Sequence, residues 1–432
     1  MFESLRRPLA VAVLSFRRRT LHARHHRGLG ADGCQAGYRG RLAQLTVNAP
    51  ANTNLPIFVN TRSQTSGLSG VQRYTLELLR RIGSRLTPVA PSRATQGAKG
   101  HLWEQTVLPI LVRNGLLWSP ANSGPLAIRR QLLTVHDVAS LDHPEWYSPT
   151  FAAWYRWMTP RLVRRVQHVI TLSEFSKKRL LALTSTNEAN VVVIPGAADV
   201  RFCPQSPQEV ERVRQSVKIP SPNYILSLGT LEPRKNLRRL LAAWASSVAN
   251  LPDDIWLVIA GRRGSSRVFN SYDFESVPPR VHFTGFVADS DLPALYSGAL
   301  ALVYVSVYEG FGLPALEAMA CGTGPVVANN TALPEVVGEA GLLVNPFDIQ
   351  AIAAGITRIV HEPGLRQQLK MRAIKRSKEF SWERAADLTW NVISGKAPAS
   401  GYGTYAKARD ASPCNAGSVT AVPVRSVNRH TP

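Results

Sequence analysis

The 432-residue chain is long enough for two domains with separate cores, and its 44% hydrophobic and 19% charged residues are those of a folded globular protein. A net charge of +22 points to anionic partners such as nucleotides, acidic lipid headgroups or, nonspecifically, nucleic acid. Four scattered cysteines, Cys34, Cys203, Cys321 and Cys414, argue against a zinc site or a disulfide framework, and no apolar run approaches the ~18 residues that cross a bilayer.

Residues 1–54 hold nine Arg and no Lys against Glu3 and Asp32, show no sustained period, and read as a disordered basic leader. Their 8–16 run is weakly signal-like, yet Arg17-Arg18-Arg19 follows and no small-residue cleavage site is evident, so the chain is expected in the cytoplasm. A short strand is expected over 55–60. The loop Ser66-Gly-Leu-Ser-Gly70 and a helix carrying Val71, Tyr74, Leu78 and Ile82 come next. Strand patterns at 116–119, 132–136, 168–172 and 191–194 alternate with helical ones near 101–113, 150–166 and 174–183. This defines a first domain over 55–203, followed by a polar, proline-bearing linker at 204–222 containing one short charged helix.

Alternation restarts with strand patterns at 224–228, 255–260, 281–285, 299–305, 325–328 and 342–344. Helical patterns cover 235–248, 290–297, 313–321, 348–360 and 364–377, giving a second domain over 223–380. Ser381 is placed to cap a terminal helix over 381–395 that crosses back to the first domain, and 396–432 reads as a disordered tail. The fold class is α/β: two doubly wound, Rossmann-like domains facing across a cleft at the C-terminal ends of their strands.

Chemistry concentrates in Tyr304-Val-Ser-Val-Tyr-Glu309-Gly-Phe-Gly-Leu-Pro-Ala-Leu-Glu317. An apolar run stops at a glycine-rich turn and a helix begins at Leu313, so Glu309 sits in a loop and Glu317, eight residues on, within the helix. Free N–H groups at a helix start favour phosphate. Two flanking acids suit a ligand with both a diphosphate and hydroxyls, as a nucleotide-sugar has. Leu228-Gly-Thr-Leu-Glu-Pro-Arg234-Lys235-Asn236 ends another strand with two cations able to meet a diphosphate, or else forms a solvated basic turn capped by Asn236. His136-Asp137 is read either as a site element or as a structural turn. His101, Trp103 and Glu104 are read as packing. Trp154, Trp157, Met158 and Arg161 are read as a core stripe flanked by arginines, the other reading being lipid contact.

These motifs resemble the retaining glycosyltransferases of the GT-B fold, family 4. The second-domain resemblance rests on the Pro-Arg-Lys-Asn turn, the Glu309…Glu317 element and Leu333-Pro-Glu-Val-Val-Gly-Glu-Ala-Gly-Leu-Leu. In the first domain, Ser69-Gly-Val-Gln-Arg-Tyr-Thr, His101-Leu-Trp-Glu-Gln, Leu117-Trp-Ser-Pro, Thr134-Val-His136-Asp137, Pro144-Glu-Trp-Tyr and Thr171-Leu-Ser-Glu-Phe-Ser are similar to mannosyltransferases of bacterial surface-polysaccharide synthesis. The resemblance covers about residues 55–394.

It implies transfer of a hexosyl unit, mannose from GDP-mannose before a UDP-sugar, onto a saccharide or lipid-linked saccharide bound on the first-domain side, with retention of configuration. Glu309 would hold donor-sugar hydroxyls beside the Gly310, Phe311, Gly312 and Leu313 backbone, and Glu317 the ribose hydroxyls. Arg234 and Lys235 would neutralise the diphosphate, Gly67 to Gly70 would close over phosphates or acceptor, and His136 would lie near the reacting carbon. No cofactor, no metal and no specific nucleic acid are expected, and no Asp-x-Asp motif is read at a strand end. Peripheral contact with an anionic membrane fits the positive body. A sugar phosphorylase or nucleotide-sugar epimerase of the same architecture, or an inactive transferase-like binding protein, are the alternatives. One departure stands out: the family pattern Cys-Gly-Thr-Pro is here Cys321-Gly-Thr-Gly324-Pro325, while the spacing from Cys321 to Glu335 is kept. This sets Gly324 against the start of a buried strand and shifts 326–330 by one residue.

Overall fold

The computed structural model describes residues 55–65, 70–93, 95, 97–262 and 277–396. The leader and tail expected at 1–54 and 396–432 lie outside the described residues apart from Lys396, as does Gly67. The first part contains β1 (Ile57–Asn60), α1 (Gly70–Ile82), β2 (Thr87–Val89), α2 (Gly97–Thr106), α3 (Leu108–Val112), β3 (Leu116–Ser119), β4 (Gln131–Val135), α4 (Ala139–Asp142), α5 (Pro149–Val163), β5 (His168–Thr171), α6 (Glu174–Thr184) and β6 (Val191–Val193). The remainder runs through α7 (Pro207–Ser216), β7 (Tyr224–Leu228), α8 (Leu237–Ser247), β8 (Trp256–Ala260), β9 (Val281–Gly285), α9 (Leu292–Gly298) and β10 (Ala301–Tyr304). It ends with α10 (Leu313–Ala320), β11 (Pro325–Ala328), α11 (Leu333–Val337), β12 (Leu342–Val344), α12 (Ile349–His361), α13 (Pro363–Ser377) and α14 (Trp382–Ile393).

The strands form two six-stranded sheets, ordered β2-β1-β3-β4-β5-β6 and β12-β11-β10-β7-β8-β9, and each pairing is parallel. Parallel strands covered on both faces read as continuous apolar runs, and the two-residue side-chain period sends alternate residues to opposite layers. Leu226, Val258, Leu302 and Tyr304 pack with residues of α9 and α10, while Ile225, Leu257, Ile259 and Val303 pack with residues of α8 and α12.

Three local features depart from the sequence reading. β2 was not expected, because Thr87-Pro88-Val89 is short and carries a proline; it is an edge strand, where a missing N–H is tolerated. The single helix expected over 101–113 is two, α2 and α3, with Pro109 opening the second. Short α4 follows Asp137, whose carboxylate accepts the Ala139 N–H at 3.1 Å. At the family departure, Gly324 lies where a Cβ would stand 2.7 Å from Leu369 Cβ, and Pro325 opens β11 without disturbing its register with β10 and β12.

The two sheets are joined by more than the linker. Ser381 caps α14, accepting the Arg384 N–H at 3.3 Å. That helix packs with α1, Trp382 meeting Tyr74 at 5.8 Å and Glu383 pairing with Arg81 at 2.8 Å. Among the described residues no helix is long and apolar enough to cross a membrane.

Candidate active site

In an open parallel sheet, the ends of adjacent strands whose connections leave in opposite directions frame a crevice. In the second sheet that point lies between β7 and β10, and the loops following these strands carry Arg234, Lys235 and Glu309. The floor is made by a close backbone approach: a Cβ on Gly261 would stand 1.8 Å from the Gly229 carbonyl oxygen, and Gly261 has φ +148°. Only glycine fits there. The cleft above has a volume of about 600 Å³ and is lined by Arg73, His136, Arg234, Lys235, Glu309 and Glu317 among others.

Glu309 is buried and gathers three partners. Lys235 Nζ donates to Oε1 at 2.6 Å, Tyr304 OH donates to Oε1 at 2.7 Å, and Arg234 Nη1 donates to Oε2 at 3.3 Å. Burial pushes this carboxyl up, but Lys235 and then Arg234 outweigh it and pull it down to about 2. Burial lowers the Lys235 ammonium, with Glu309 opposing. Arg234 is also held by Glu232, at 2.5 Å from Nε to Oε1, and stays well above its ordinary range despite burial. Asn236 does not cap α8, as the basic-turn reading required. Its φ is +60°, and its amide donates to Val305 O at 3.0 Å and Pro346 O at 2.7 Å, tying this turn to the end of β10.

Glu317 lies one helix turn inside α10. Arg73 Nη1 donates to its Oε1 at 2.5 Å, reaching from α1 across the cleft, and Tyr296 OH donates to Oε2 at 3.1 Å. Burial raises Glu317 to about 7, against the pull of Arg73 and Tyr296. The starts of α1 and α10 meet here, a Cβ on Gly70 falling 3.6 Å from Leu313 Cδ1. Both helix N-termini therefore turn their positive ends toward one region.

The loop between the acids is pressed into the first domain. A Cβ on Gly310 would stand 2.1 Å from the His136 carbonyl oxygen and 2.7 Å from Asp137 Cβ. Ser173 and Ser176 hydroxyls donate to Gly310 O at 2.7 and 3.0 Å. Phe311 is buried in the first-domain cluster with Trp382 and Leu172, and Gly312, at φ +103°, starts α10. His136 lines the cleft with Nε2 2.8 Å from Pro120 O, and burial lowers its pKa. The neutral ring therefore donates its Nε2 proton to that carbonyl.

The structure brings His136, Arg234, Lys235, Glu309, Gly70, Gly310, Phe311, Gly312, Leu313 and Glu317 to one cleft. Sequence reasoning passed over Arg73, although it stands in the Gly70-Val-Gln-Arg73 run, and Tyr304, five residues before Glu309. It also passed over Glu335, whose carboxylate accepts the Glu174 and Phe175 N–H groups of α6 at 2.9 and 2.7 Å. An Asp-x-Asp spacing does lie four residues beyond β9, at Asp289-Ser-Asp291, contrary to the reading that none lies near a strand end. Asp289 pairs with Arg73 and Arg201, and Asp291 with Arg212. Among the described residues no group of three or more His, Cys, Asp or Glu side chains is placed to hold a metal ion. Glu104, read as packing, is fully buried with Asn60, Arg62 and Ser123, and Trp103 packs beside Leu108. On α5, Met158 is core, whereas Trp157 is 45% exposed with Arg161 lying over its ring.

The chain is similar to several known proteins. Residues 209–376 match the family model described as glycosyl transferases group 1. The O-antigen chain mannosyltransferase B of Escherichia coli is 33% identical over 270 residues, which cover 62% of this chain and 71% of that protein. The serotype-specific mannosyltransferase WbdA of Escherichia coli is 30% identical over 279 residues, and there the match spans only 33% of the relative's length. Among solved structures, HepE of Anabaena in complex with UDP and glucose has a TM-score of 0.63 at 18% identity, covering 79% of this chain and 99% of that one. WaaG, a glycosyltransferase involved in lipopolysaccharide biosynthesis, has a TM-score of 0.61 at 15% identity, covering 79% and 100%. Two parallel six-stranded sheets about a cleft are thus the GT-B fold, and the chain belongs to the glycosyl transferases group 1 family.

Proposed function

We propose that the protein transfers a mannosyl unit from GDP-mannose to a saccharide or lipid-linked saccharide, retaining the anomeric configuration. The observation that carries this reading is the cluster of Arg234, Lys235 and Glu309 in one cleft with Glu317 and two helix N-termini. Cleaving the bond between sugar and phosphate leaves negative charge on the diphosphate. Stabilising charge as it develops is commonly the largest catalytic contribution. Arg234 supplies a planar fork and Lys235 a compact charge, while N–H groups of the Gly310–Leu313 turn add dipoles. Glu309, ionised by its two cations, accepts hydrogen bonds from hydroxyls of the donor sugar. Glu317 accepts hydrogen bonds from those of the ribose.

Retention by same-face attack fits the crowding of Glu309. Its oxygens already take Lys235, Tyr304 and Arg234, which suits a holding role better than nucleophilic attack. In this step the sugar–phosphate bond breaks with its electron pair passing to the diphosphate. The acceptor oxygen bonds to the same face, and its proton goes to the departing phosphate oxygen. These residues supply the positive charge without a protein-held metal. Mannose is favoured over other sugars by the names of the relatives, and a UDP-sugar is the second choice because the structural neighbour HepE was solved with UDP and with UDP-glucose.

The acceptor-side domain is read as lying over residues 55–203 and the donor domain over 223–380, with peripheral contact to the inner face of an anionic membrane. Exposed Trp157 and the net charge of +22 support that contact. The test is incubation with GDP-mannose and lipid-linked saccharide acceptors, followed by determination of the new linkage. An α-linked mannosyl product is expected. A β-linked product would remove retention, and transfer only from UDP-sugars would remove the donor assignment.

A further inference from the structure

We propose that Arg73, contributed by the first domain, completes the ribose subsite of the second, so that recognition of the ribose diol depends on a cross-cleft ion pair. This rests on the reading of Glu317 as the ribose acceptor and goes beyond it by naming the residue that sets the specificity. A carboxylate offers about four hydrogen-bonding positions on its two oxygens. Arg73 takes one at 2.5 Å and Tyr296 one at 3.1 Å, which leaves the number that a vicinal diol donates. The groups facing Glu317 are Arg73 from α1, Tyr296 from α9, Asp289 ahead of α9, Arg201 at the end of the first domain and Cys321 at the end of α10. Of the two cations, Arg73 touches the carboxylate, whereas Arg201 pairs with Asp289 and Asp199.

The guanidinium is fixed on three sides. One terminal nitrogen meets Glu317, the other meets Asp289, and its Cζ lies 5.2 Å from the centre of the Phe202 ring. Both carboxylates belong to the second domain and the arginine to the first. A planar fork can join two such acids at once, which an ammonium cannot do with the same geometry. A buried carboxylate that loses its cation takes a proton and turns from acceptor to donor, so it then serves a diol poorly. Arg73 favours the ionised form of Glu317 against its burial and orients it while the two domains are in contact. It is therefore a positioning residue of the donor site.

The experiment compares binding of GDP, UDP and their 2′,3′-dideoxy counterparts to the native protein, Arg73→Met and Arg73→Lys across pH. The native protein should prefer the ribonucleotide by at least ~100-fold, two hydrogen bonds to a charged group each being worth ~1.5–3 kcal/mol. Arg73→Met should lose most of that preference, bind the dideoxy nucleotide as before, and need a higher pH for the same ribonucleotide affinity. Arg73→Lys should fall between. Unchanged dideoxy binding shows that the variant is folded, and Arg73→Lys supplies the comparison if Arg73→Met is not. A variant that keeps both the preference and the native pH midpoint overturns the role of Arg73 alone. A native protein that binds both nucleotide forms equally, or neither, overturns the ribose reading of Glu317 and this inference with it.

Discussion

Replacing Gly310 by Ala tests whether the donor loop must touch the first domain. The new Cβ would stand 2.1 Å from the His136 carbonyl oxygen, whereas carbon and carbonyl oxygen settle at roughly 3.3 Å or more, so the two backbones must part by about 1 Å. Parting them also stretches the bonds from Ser173 and Ser176 to Gly310 O, each worth ~0.5–1.5 kcal/mol. Overpacking of this kind costs about 1–3 kcal/mol of stability. The effect on chemistry should be larger, because His136 and Glu309 flank the contact and a 1 Å misplacement can cost ~100-fold in rate. Steady-state transfer by purified G310A should show kcat/KM lower by about 100-fold, with a Tm only a few degrees below native. Activity within three-fold of native would refute the idea that this contact sets the geometry of the reacting groups.

Glu309→Gln leaves Lys235 without its anionic partner and Arg234 with Glu232 alone, and donor turnover should fall by at least ~100-fold while nucleoside diphosphate binding, read by calorimetry, changes much less. Glu309 and Glu317 act oppositely on stability. Glu309, lowered to about 2, stabilises the fold above the ordinary carboxylate range and ceases to do so as pH falls through about 2, while Glu317, raised to about 7, favours the fold at low pH and loses that contribution as pH rises through about 7. Glu317→Gln should therefore flatten the decline of Tm between pH 5 and 8, an outcome that parallel native and variant melts would contradict. The full chain should sediment with anionic vesicles at ~0.1 M salt and be released at ~1 M, where the screening length drops from ~10 to ~3 Å. Pelleting at both salts would replace electrostatic attraction by apolar insertion of the Trp157 region. Transfer should persist in EDTA, and a rate restored only by a divalent cation would refute metal independence.

The doubly wound fold was legible because its strands are apolar runs separated by amphipathic helices. β2 was not legible, since Thr87-Pro88-Val89 has neither length nor alternation. The Glu309–Glu317 pair was legible because both acids lie on one continuous loop and helix. The pairing of Lys235 with Glu309 was not, because it depends on β7 and β10 being neighbours in the sheet although the two residues stand 74 positions apart. Arg73 looked like one cation among many on a basic chain, and only the apposition of α1 and α10 gives it Glu317 as a partner. Asn236 decides against the alternative of a solvated basic turn: a residue well suited to capping instead spends its amide on two distant carbonyls.

Calorimetric titration of the purified protein with GDP-mannose, UDP-glucose and UDP-N-acetylglucosamine tests the central claim most directly. Saturable binding is predicted, tightest for GDP-mannose and weakened at least ~10-fold in Glu317→Ala, which removes a charged acceptor worth ~1.5–3 kcal/mol. Binding of none of the three, or equal binding by native protein and variant, would contradict the assignment of this cleft as a nucleotide-sugar site.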